Sequence, residues 1–116
     1  MIADDSDAIR LVLKDILEIG KHELAGEAVN GEQAVQQFVA TKPEIILLDM
    51  AMPKKDGLTA LKEIITIEPN AKIIMITASD NQATMKECIN AGARAYILKP
   101  FNFQDVLKTI TEVTNS

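Results

Sequence analysis

Short apolar runs alternate with amphipathic stretches along the whole chain. A short run of consecutive apolar residues is typical of a buried strand, whereas apolar residues spaced three and four apart are typical of a helix. The runs predict five strands, at residues 1–3, 23–29, 44–48, 72–77 and 95–98. The stretches between and after them predict five helices, at 7–19, 31–41, around 58–65, at 81–91 and after 102.

Caps and apolar stripes define these helices more closely. Gly20 and Gly92 fit helix ends, because glycine readily adopts the backbone that terminates a helix. Asn30, Asp80 and Asn102 are candidate N-caps, since short polar side chains bind the free amides of a first turn. The predicted inward-facing residues are Ile9, Val12, Leu13, Ile16 and Leu17; Ala34, Val35, Phe38 and Val39; Leu58, Leu61, Ile64 and Ile65, closed by Pro69; and Val106, Leu107, Ile110 and Val113.

This order of elements predicts one doubly wound α/β domain over residues 1–116. Alternating strands and helices favour a five-stranded parallel sheet with right-handed crossovers and five flanking helices. The runs at 44–48 and 72–77 are continuously apolar, which is typical of strands covered on both faces. Periodicity leaves the strand order open. Because the first strand is so short, we expect the natural domain to begin a few residues earlier.

Composition and charge narrow the classes of function. The net charge of −5 argues against nucleic-acid binding by this domain, because phosphate contacts need a basic surface. No apolar run is long enough to cross a bilayer, and the N-terminus does not resemble a signal peptide. Cys88 is the single cysteine and reads as a small apolar helix residue, so we expect no internal disulfide and a cytoplasmic location. His22, the single histidine, reads as a solvated loop residue.

Three carboxylates, a hydroxyl and an ammonium group stand at the ends of predicted strands. Asp4 and Asp5 follow the first strand, Asp49 the third, Thr77 ends the fourth, and Lys99 follows the fifth. In open α/β sheets, ligands bind at the carboxyl edge, where these groups would converge. Clustered carboxylates favour a cation with oxygen ligands, such as Mg²⁺. Asp49 would then be a nucleophile toward a phosphoryl group whose oxygens are held by Lys99 and Thr77.

Each of these residues also has a simpler explanation. Asp49 alone could cap a loop or pair with a lysine, and Asp4 and Asp5 could merely favour the first turn of a helix. Thr77 alone is an ordinary strand residue, and Lys99 alone could be a solvated loop lysine. The five residues together favour the chemical interpretation.

These residues and their spacing resemble the receiver domain of two-component response regulators. The resemblance extends from "ADDS" to the last helix and includes "NGEQA" at 30–34, "MPKKDG" at 52–57 and "NAGARAYILKPF" at 90–101. It implies the strand order 2-1-3-4-5 of that fold. It also implies a phosphorylation-activated signalling switch, not an enzyme in the usual sense, that promotes only its own phosphorylation and dephosphorylation.

The resemblance implies a role for each acidic residue. Asp49 matches the phosphoacceptor, which takes a phosphoryl group from a sensor histidine kinase in a Mg²⁺-dependent reaction. Asp5 matches a direct metal ligand, and Asp4 the acid that acts through a metal-bound water. The backbone carbonyl of Ala51 matches the third protein ligand. Ala51 and Ser79 are both small at positions that tune loss of the phosphoryl group, so we expect a short-lived phosphorylated state.

The remaining implied roles concern the switch and its readout. Thr77 is similar to the hydroxyl that moves toward the phosphoryl group, Lys99 to its oxygen partner, and the Lys99–Pro100 bond to a cis peptide. Tyr96 matches an aromatic switch that turns inward as Thr77 moves, although packing alone is the simpler reading of Tyr96. A downstream protein would bind the face formed by the fourth helix, the fifth strand and the fifth helix. The resemblance implies no membrane contact and either a monomer or a phosphorylation-dependent dimer.

Several alternatives stay open. The preferred interpretation is a stand-alone, chemotaxis-type regulator, because the ending "KPFNFQDVLKTI" resembles regulators of that kind; the alternative is a receiver excised from a DNA-binding transcriptional regulator. A Mg²⁺-dependent phosphatase or phosphotransferase is disfavoured, since the short connections leave no room for a substrate-covering insertion. A receiver-like domain that acts only by binding is disfavoured by the complete set of acids with Thr77 and Lys99.

Overall fold

The computed structural model describes residues 1–115. Strands and helices alternate along the chain, as the hydrophobic pattern predicts. The strands are β1 (Ile2–Ala3), β2 (Glu27–Ala28), β3 (Ile45–Asp49), β4 (Lys72–Thr77) and β5 (Ala95–Leu98). The helices are α1 (Asp7–Ile19), α2 (Gly31–Thr41), α3 (Gly57–Ile67), α4 (Gln82–Asn90) and α5 (Phe103–Thr114).

The five strands form one parallel sheet in the order β2-β1-β3-β4-β5. The predicted fold class and the strand order implied by the resemblance are therefore confirmed. Asp49 pairs with Ile76 across β3 and β4, and Thr77 pairs with Leu98 across β4 and β5. This register places the last residues of the three strands at one edge of the sheet.

Both faces of the sheet are covered, and successive residues of a strand pack on opposite faces. In β3, Ile46 and Leu48 join the core cluster that contains residues of α2, α3 and α4. Leu47 joins the second cluster, which contains residues of α1 and α5. β4 alternates in the same way, with Met75 in the first cluster and Ile76 in the second. Burial on both faces explains why β3 is apolar up to Asp49 and why β4 is apolar between Lys72 and Thr77.

Local chemistry sets most helix ends. The side chain of Asn30 accepts the amide of Gln33 at the start of α2, and Asn102 accepts the amide of Asp105 at the start of α5. Both caps were predicted. Gly92 follows α4 with a φ of 118°, in the left-handed region that glycine adopts most easily.

Some expectations were wrong. The N-cap of α4 is Asn81, not Asp80, because the Asn81 side chain accepts the amides of Ala83 and Thr84. β2 has two paired residues instead of seven, and β3 runs one residue further, through Asp49.

Two predicted inward-facing residues are exposed. Val12 is 45% exposed and Val39 is 49% exposed. Both lie at the margin of an apolar stripe, and each helix packs through the narrower stripe beside it, which includes Leu13 in α1 and Phe38 in α2. Over residues 1–115, no helix is both long enough and apolar enough to cross a bilayer.

Candidate functional site

Three carboxylates meet at the carboxyl edge of the sheet. Asp4, Asp5 and Asp49 each offer an oxygen that lies within 4.8 Å of the others. Asp4 and Asp49 are almost fully buried, with 0% and 3% of each residue exposed, whereas Asp5 is exposed. Buried carboxylates are costly unless they are paired. The positions of these acids after predicted strands indicated that they would lie together.

Lys99 pairs with the two buried acids at once. Its Nζ lies 3.2 Å from Oδ2 of Asp4 and 3.2 Å from Oδ1 of Asp49. Burial lowers the pKa of Lys99, but the charges and hydrogen bonds of Asp49 and Asp4 outweigh burial, so the net effect is a raised pKa. Lys99 therefore stays protonated. One ammonium group faces three carboxylates, which leaves this edge acidic.

Asp49 holds its proton more tightly than an ordinary aspartate. Burial raises the pKa of Asp49, and the nearby charge of Asp4 raises it further. Lys99 and the backbone amide of Ala51 offset only part of this rise. A more basic carboxylate is a stronger nucleophile, so the environment favours attack by Asp49 on an electrophilic centre.

The loop after β1 is held by the side chain of Asp4 and by the cap of α1. Oδ1 of Asp4 accepts the amide of Ser6 at 2.8 Å, and the Ser6 hydroxyl accepts the amide of Ile9 at 3.2 Å. The first turn of α1 therefore begins directly beside the acidic cluster. Its free amides add a positive partial charge to this edge.

Thr77 ends β4, between the strands that carry Asp49 and lead to Lys99. Its hydroxyl accepts the amide of Ser79 at 3.1 Å, and its main-chain oxygen accepts the amide of Lys99 at 2.8 Å. Thr77 is 7% exposed. The Lys99–Pro100 peptide bond is cis, the conformation that the resemblance implied.

The loop after Asp49 requires glycine at its end. A Cβ on Gly57 would lie 2.1 Å from the main-chain oxygen of Asp49, closer than any real contact. The amide of Gly57 donates to the main-chain oxygen of Met50 at 2.9 Å, which closes the loop. A Cβ on Gly31 would similarly lie 2.0 Å from the main-chain oxygen of Lys55. The motifs "NGEQA" and "MPKKDG" therefore contact each other.

Tyr96 lies apart from the acidic cluster. It pairs with Met75 in the sheet and is 41% exposed. Together with Leu98 it borders a groove against α4 whose wall includes Met85 and Ile89. The side chain is therefore in an outward position in this structure.

Several contacts around the site were not predicted from the sequence. Arg10 donates to the main-chain oxygen of Asp4 at 2.8 Å and lies 3.3 Å from Glu27. Cys88 contacts the sulfur of Met50 at 4.0 Å, and burial raises the pKa of its thiol. An arginine in the turn after "DDSD" was the available signal for Arg10. Nothing local could have predicted the contact between Cys88 and Met50.

The donors fit a hard divalent cation. Every ligand candidate in the cluster is a carboxylate oxygen, and Mg²⁺ prefers oxygen ligands from one or two carboxylates with water completing the shell. Two of the acids are buried and one is exposed, which leaves a solvent-facing side for exchange. The cluster fits Mg²⁺ on the chemistry of its donors.

Known proteins are similar to this chain in sequence and in fold. The family model for the response regulator receiver domain matches residues 1–111. A chemotaxis protein CheY of Thermotoga maritima is 43% identical over 114 residues, which are 98% of this chain and 95% of that protein.

Two solved structures extend the comparison. A CheX–CheY–BeF3–Mg complex from Borrelia burgdorferi aligns with a TM-score of 0.94 and 34% identity, over 97% of this chain and 85% of that one. A DNA-binding response regulator of the LuxR family from Staphylococcus aureus aligns with a TM-score of 0.91 and 26% identity, over 98% of this chain and 96% of that one. The chain therefore belongs to the response regulator receiver domain family, whose members are signalling switches of two-component systems.

Proposed function

We propose that the chain, residues 1–116, is one receiver domain that takes a phosphoryl group on Asp49 from a phosphohistidine of a sensor histidine kinase. The observation that carries this proposal is the position of Asp49. It lies almost fully buried among two further acids, with the Lys99 ammonium 3.2 Å from its Oδ1. A purely structural acid would need the ammonium group but not the neighbouring carboxylates.

The transfer is a displacement at phosphorus. A carboxylate oxygen of Asp49 attacks, a P–O bond forms, the P–N bond to the histidine breaks, and the leaving nitrogen takes the electron pair. Lys99 would hold phosphoryl oxygens by its charge, and Thr77 would hold them by a hydrogen bond. Lys99 already faces Asp49, so its charge needs little movement to follow the new group.

Mg²⁺ would be held by Asp5 directly, by Asp4 through a water, by Asp49, and by the backbone carbonyl of Ala51. When bound, it neutralises negative charge on the transferring phosphoryl group. The acidic cluster and its all-oxygen donors support this assignment. The Borrelia burgdorferi CheY complex, which contains Mg and BeF3, supports it as well.

Phosphorylation would then be read at the face formed by α4, β5 and α5. Thr77 moves toward the phosphoryl group, and Tyr96 turns inward into the space that this movement leaves. The equilibrium shifts toward a state that a downstream protein binds, by no more than the difference in affinity between the two states. The outward position of Tyr96 beside α4 is the starting state that this mechanism requires.

We further propose a stand-alone, chemotaxis-type regulator in the cytoplasm, monomeric or dimerising on phosphorylation. The similarity to the CheY of Thermotoga maritima over nearly the full length of both proteins supports this choice. A receiver from a DNA-binding transcriptional regulator is the second candidate, supported by the similarity to the Staphylococcus aureus protein. In either case, the domain itself would promote only its own phosphorylation and dephosphorylation.

Intact-mass measurement after incubation with acetyl phosphate tests the proposal. We expect the parent protein to gain the mass of one phosphoryl group with Mg²⁺ and not in excess chelator. Asp49→Asn should gain none, whereas Asp15→Asn, at an exposed acid of α1, should behave like the parent. Failure of the parent to gain mass under any condition would overturn phosphorylation and favour a domain that acts by binding alone.

A further inference from the structure

Arg10 connects the loop that carries Asp4 and Asp5 to two neighbouring elements. Its Nη1 donates to the main-chain oxygen of Asp4 at 2.8 Å, and its Nη2 binds the carboxylate of Asp7. Its Nε lies 3.3 Å from Oε1 of Glu27 in β2. Each guanidinium nitrogen therefore has its own oxygen partner, and the side chain is only 13% exposed.

The oxygen that Arg10 binds belongs to the peptide between Asp4 and Asp5. Because a peptide unit is planar, holding its oxygen also sets the direction in which the chain enters Asp5. β1 has only two residues, and beyond them the amide of Asp4 makes one more bond, to the main-chain oxygen of Ala28 at 3.1 Å. The bond from Arg10 restrains the next peptide unit, where the strand has ended.

Asp5 depends on this restraint more than the other two acids do. The side chains of Asp4 and Asp49 are each bound by Lys99. Among residues 1–115, no hydrogen bond or ion pair holds the exposed carboxylate of Asp5. The backbone alone therefore keeps Asp5 within reach of the other carboxylates.

We propose that Arg10 is a positioning residue for the metal site, which holds the Asp4–Asp5 peptide so that the Asp5 carboxylate faces Asp49. This inference rests on the proposed Mg²⁺ binding. Arg10 binds none of the three carboxylates of the cluster, so it does not compete with a cation for them. Residues that orient the ligands of a metal without touching the metal commonly raise its affinity by about 10- to 100-fold.

Simple electrostatics makes the opposite prediction. Arg10 carries a positive charge beside an acidic cluster, so its removal should strengthen the binding of a cation if charge alone matters. Positioning instead predicts weaker binding. The sign of the change in affinity therefore separates the two explanations.

Lys14 provides a matched control. Its Nζ lies 3.0 Å from Oε2 of Glu27, so it shares this partner with Arg10. It makes no hydrogen bond to Asp4 within the described residues 1–115. Removing Lys14 deletes a positive charge from the same ion-pair network without freeing the Asp4–Asp5 peptide.

The experiment is calorimetric titration of the full chain with Mg²⁺ alone, with circular dichroism to verify that each variant is folded. We expect Arg10→Met to weaken Mg²⁺ binding by about 10-fold, and Lys14→Met to leave it unchanged or slightly stronger. Arg10→Lys, which keeps the charge but loses the fork of donors, should also weaken binding. It serves as the test variant if Arg10→Met does not fold.

Three outcomes would overturn the inference. The first is a folded Arg10 variant that binds Mg²⁺ as tightly as the parent or more tightly. The second is a loss of Mg²⁺ affinity in Lys14→Met as large as in Arg10→Met. It would mean that the shared ion pair with Glu27, and not the bond to Asp4, supports binding. The third is a parent that does not bind Mg²⁺, which would overturn the metal part of the proposed function and this inference with it.

Discussion

The ammonium nitrogen of Lys99 lies 3.2 Å from Oδ1 of Asp49, although β4 separates the strands that carry the two residues to the sheet edge. The pair forms because parallel strands bring their carboxyl ends to one side, whatever their distance along the chain. It lowers the cost of burying Asp49, yet burial and the nearby charge of Asp4 still raise the pKa of that carboxyl group. Negative charge is therefore buried at this edge of the sheet at a cost in stability, and this cost can be measured.

Asp49→Asn should stabilise the metal-free protein at neutral pH. The raised pKa of Asp49 means that the folded state binds a proton more tightly than the unfolded state does. The associated stability is present below the ordinary pKa of 3.8 and is lost as the pH rises through the folded-state value. The amide does not titrate, so the advantage of the variant should grow from acidic to neutral pH.

Urea unfolding in chelator at a series of pH values would measure this difference. Asp15→Asn, at an exposed acid, is the control and should change the free energy of unfolding much less. A variant at Asp49 that is less stable than the parent at neutral pH would contradict the assigned balance of burial, repulsion and pairing.

Lys99→Ala should destabilise the metal-free protein by about 3 kcal/mol, because it leaves two buried carboxylates without their shared counter-ion. In an Asp49→Asn background the same substitution should cost clearly less, since only Asp4 is then left unpaired. Chemical denaturation of the four proteins gives the coupling energy directly.

Lys62→Ala is the control for this cycle. Its Nζ lies 3.8 Å from Glu87, and both side chains are more than half exposed. The free energy of unfolding should therefore fall by no more than about 0.5 kcal/mol. If the two lysine substitutions lower the free energy of unfolding equally, the pairing of Lys99 at the sheet edge adds no more stability than a surface ion pair.

Gly57→Ala should cost about 2 kcal/mol or more, because the added Cβ would meet the main chain of Asp49 and push the loop outward. The control is Gly26→Ala, where the nearest atom to an added Cβ is a side-chain oxygen of Gln37 at 3.3 Å. That side chain can move, so the control should cost less than about 1 kcal/mol. If thermal unfolding ranks the two variants in the reverse order, Gly57 is not needed for close approach.

Phosphorylation should make Tyr96 less accessible to a collisional quencher. Tyr96 is the single tyrosine, and the chain has no tryptophan, so the intrinsic fluorescence reports this side chain alone. We expect quenching by acrylamide to fall when acetyl phosphate and Mg²⁺ are added to the parent, but not to Asp49→Asn. Unchanged quenching of a protein whose mass shows full phosphorylation would rule out the inward rotation.

The phosphorylated state should decay within minutes, because the side chains of Ala51 and Ser79 are small and both residues are exposed beside the site. Ala51→Arg should slow the loss several-fold by hindering the approach of water, whereas Ala40→Arg, on an exposed position of α2, should not. Intact mass followed after removal of acetyl phosphate measures both rates. Persistence of the parent phosphoprotein over many hours would contradict the prediction.

The sequence alone predicted the succession of elements, because each depends on neighbours along the chain. The helix α1 from Asp7 to Ile19 and the cap at Asn102 follow from local spacing and local hydrogen bonds. The fully apolar runs of β3 and β4 predicted burial on both faces. Where local signals competed, prediction failed, as at Asp80, whose neighbour Asn81 makes the cap instead.

The candidate site was predicted as a set of residues, from the polar groups at strand ends and from the family resemblance. The strand order, which decides which ends are neighbours, came from the resemblance, because hydrophobic periodicity carries no information about it. The distances and hydrogen bonds came only from the structure. The contact of Lys99 with both Asp4 and Asp49 is therefore a tertiary result.

The contacts that were missed depend on the geometry of loops, which periodicity does not describe. The bond from Arg10 to the main-chain oxygen of Asp4 spans the turn between β1 and α1, and the fit of Gly57 against Asp49 requires the loop after β3 to close. Local sequence determined which elements form and where polar groups stand along them. Only packing in three dimensions, which joins residues far apart in the chain, decided which of those groups meet and how much charge they bury.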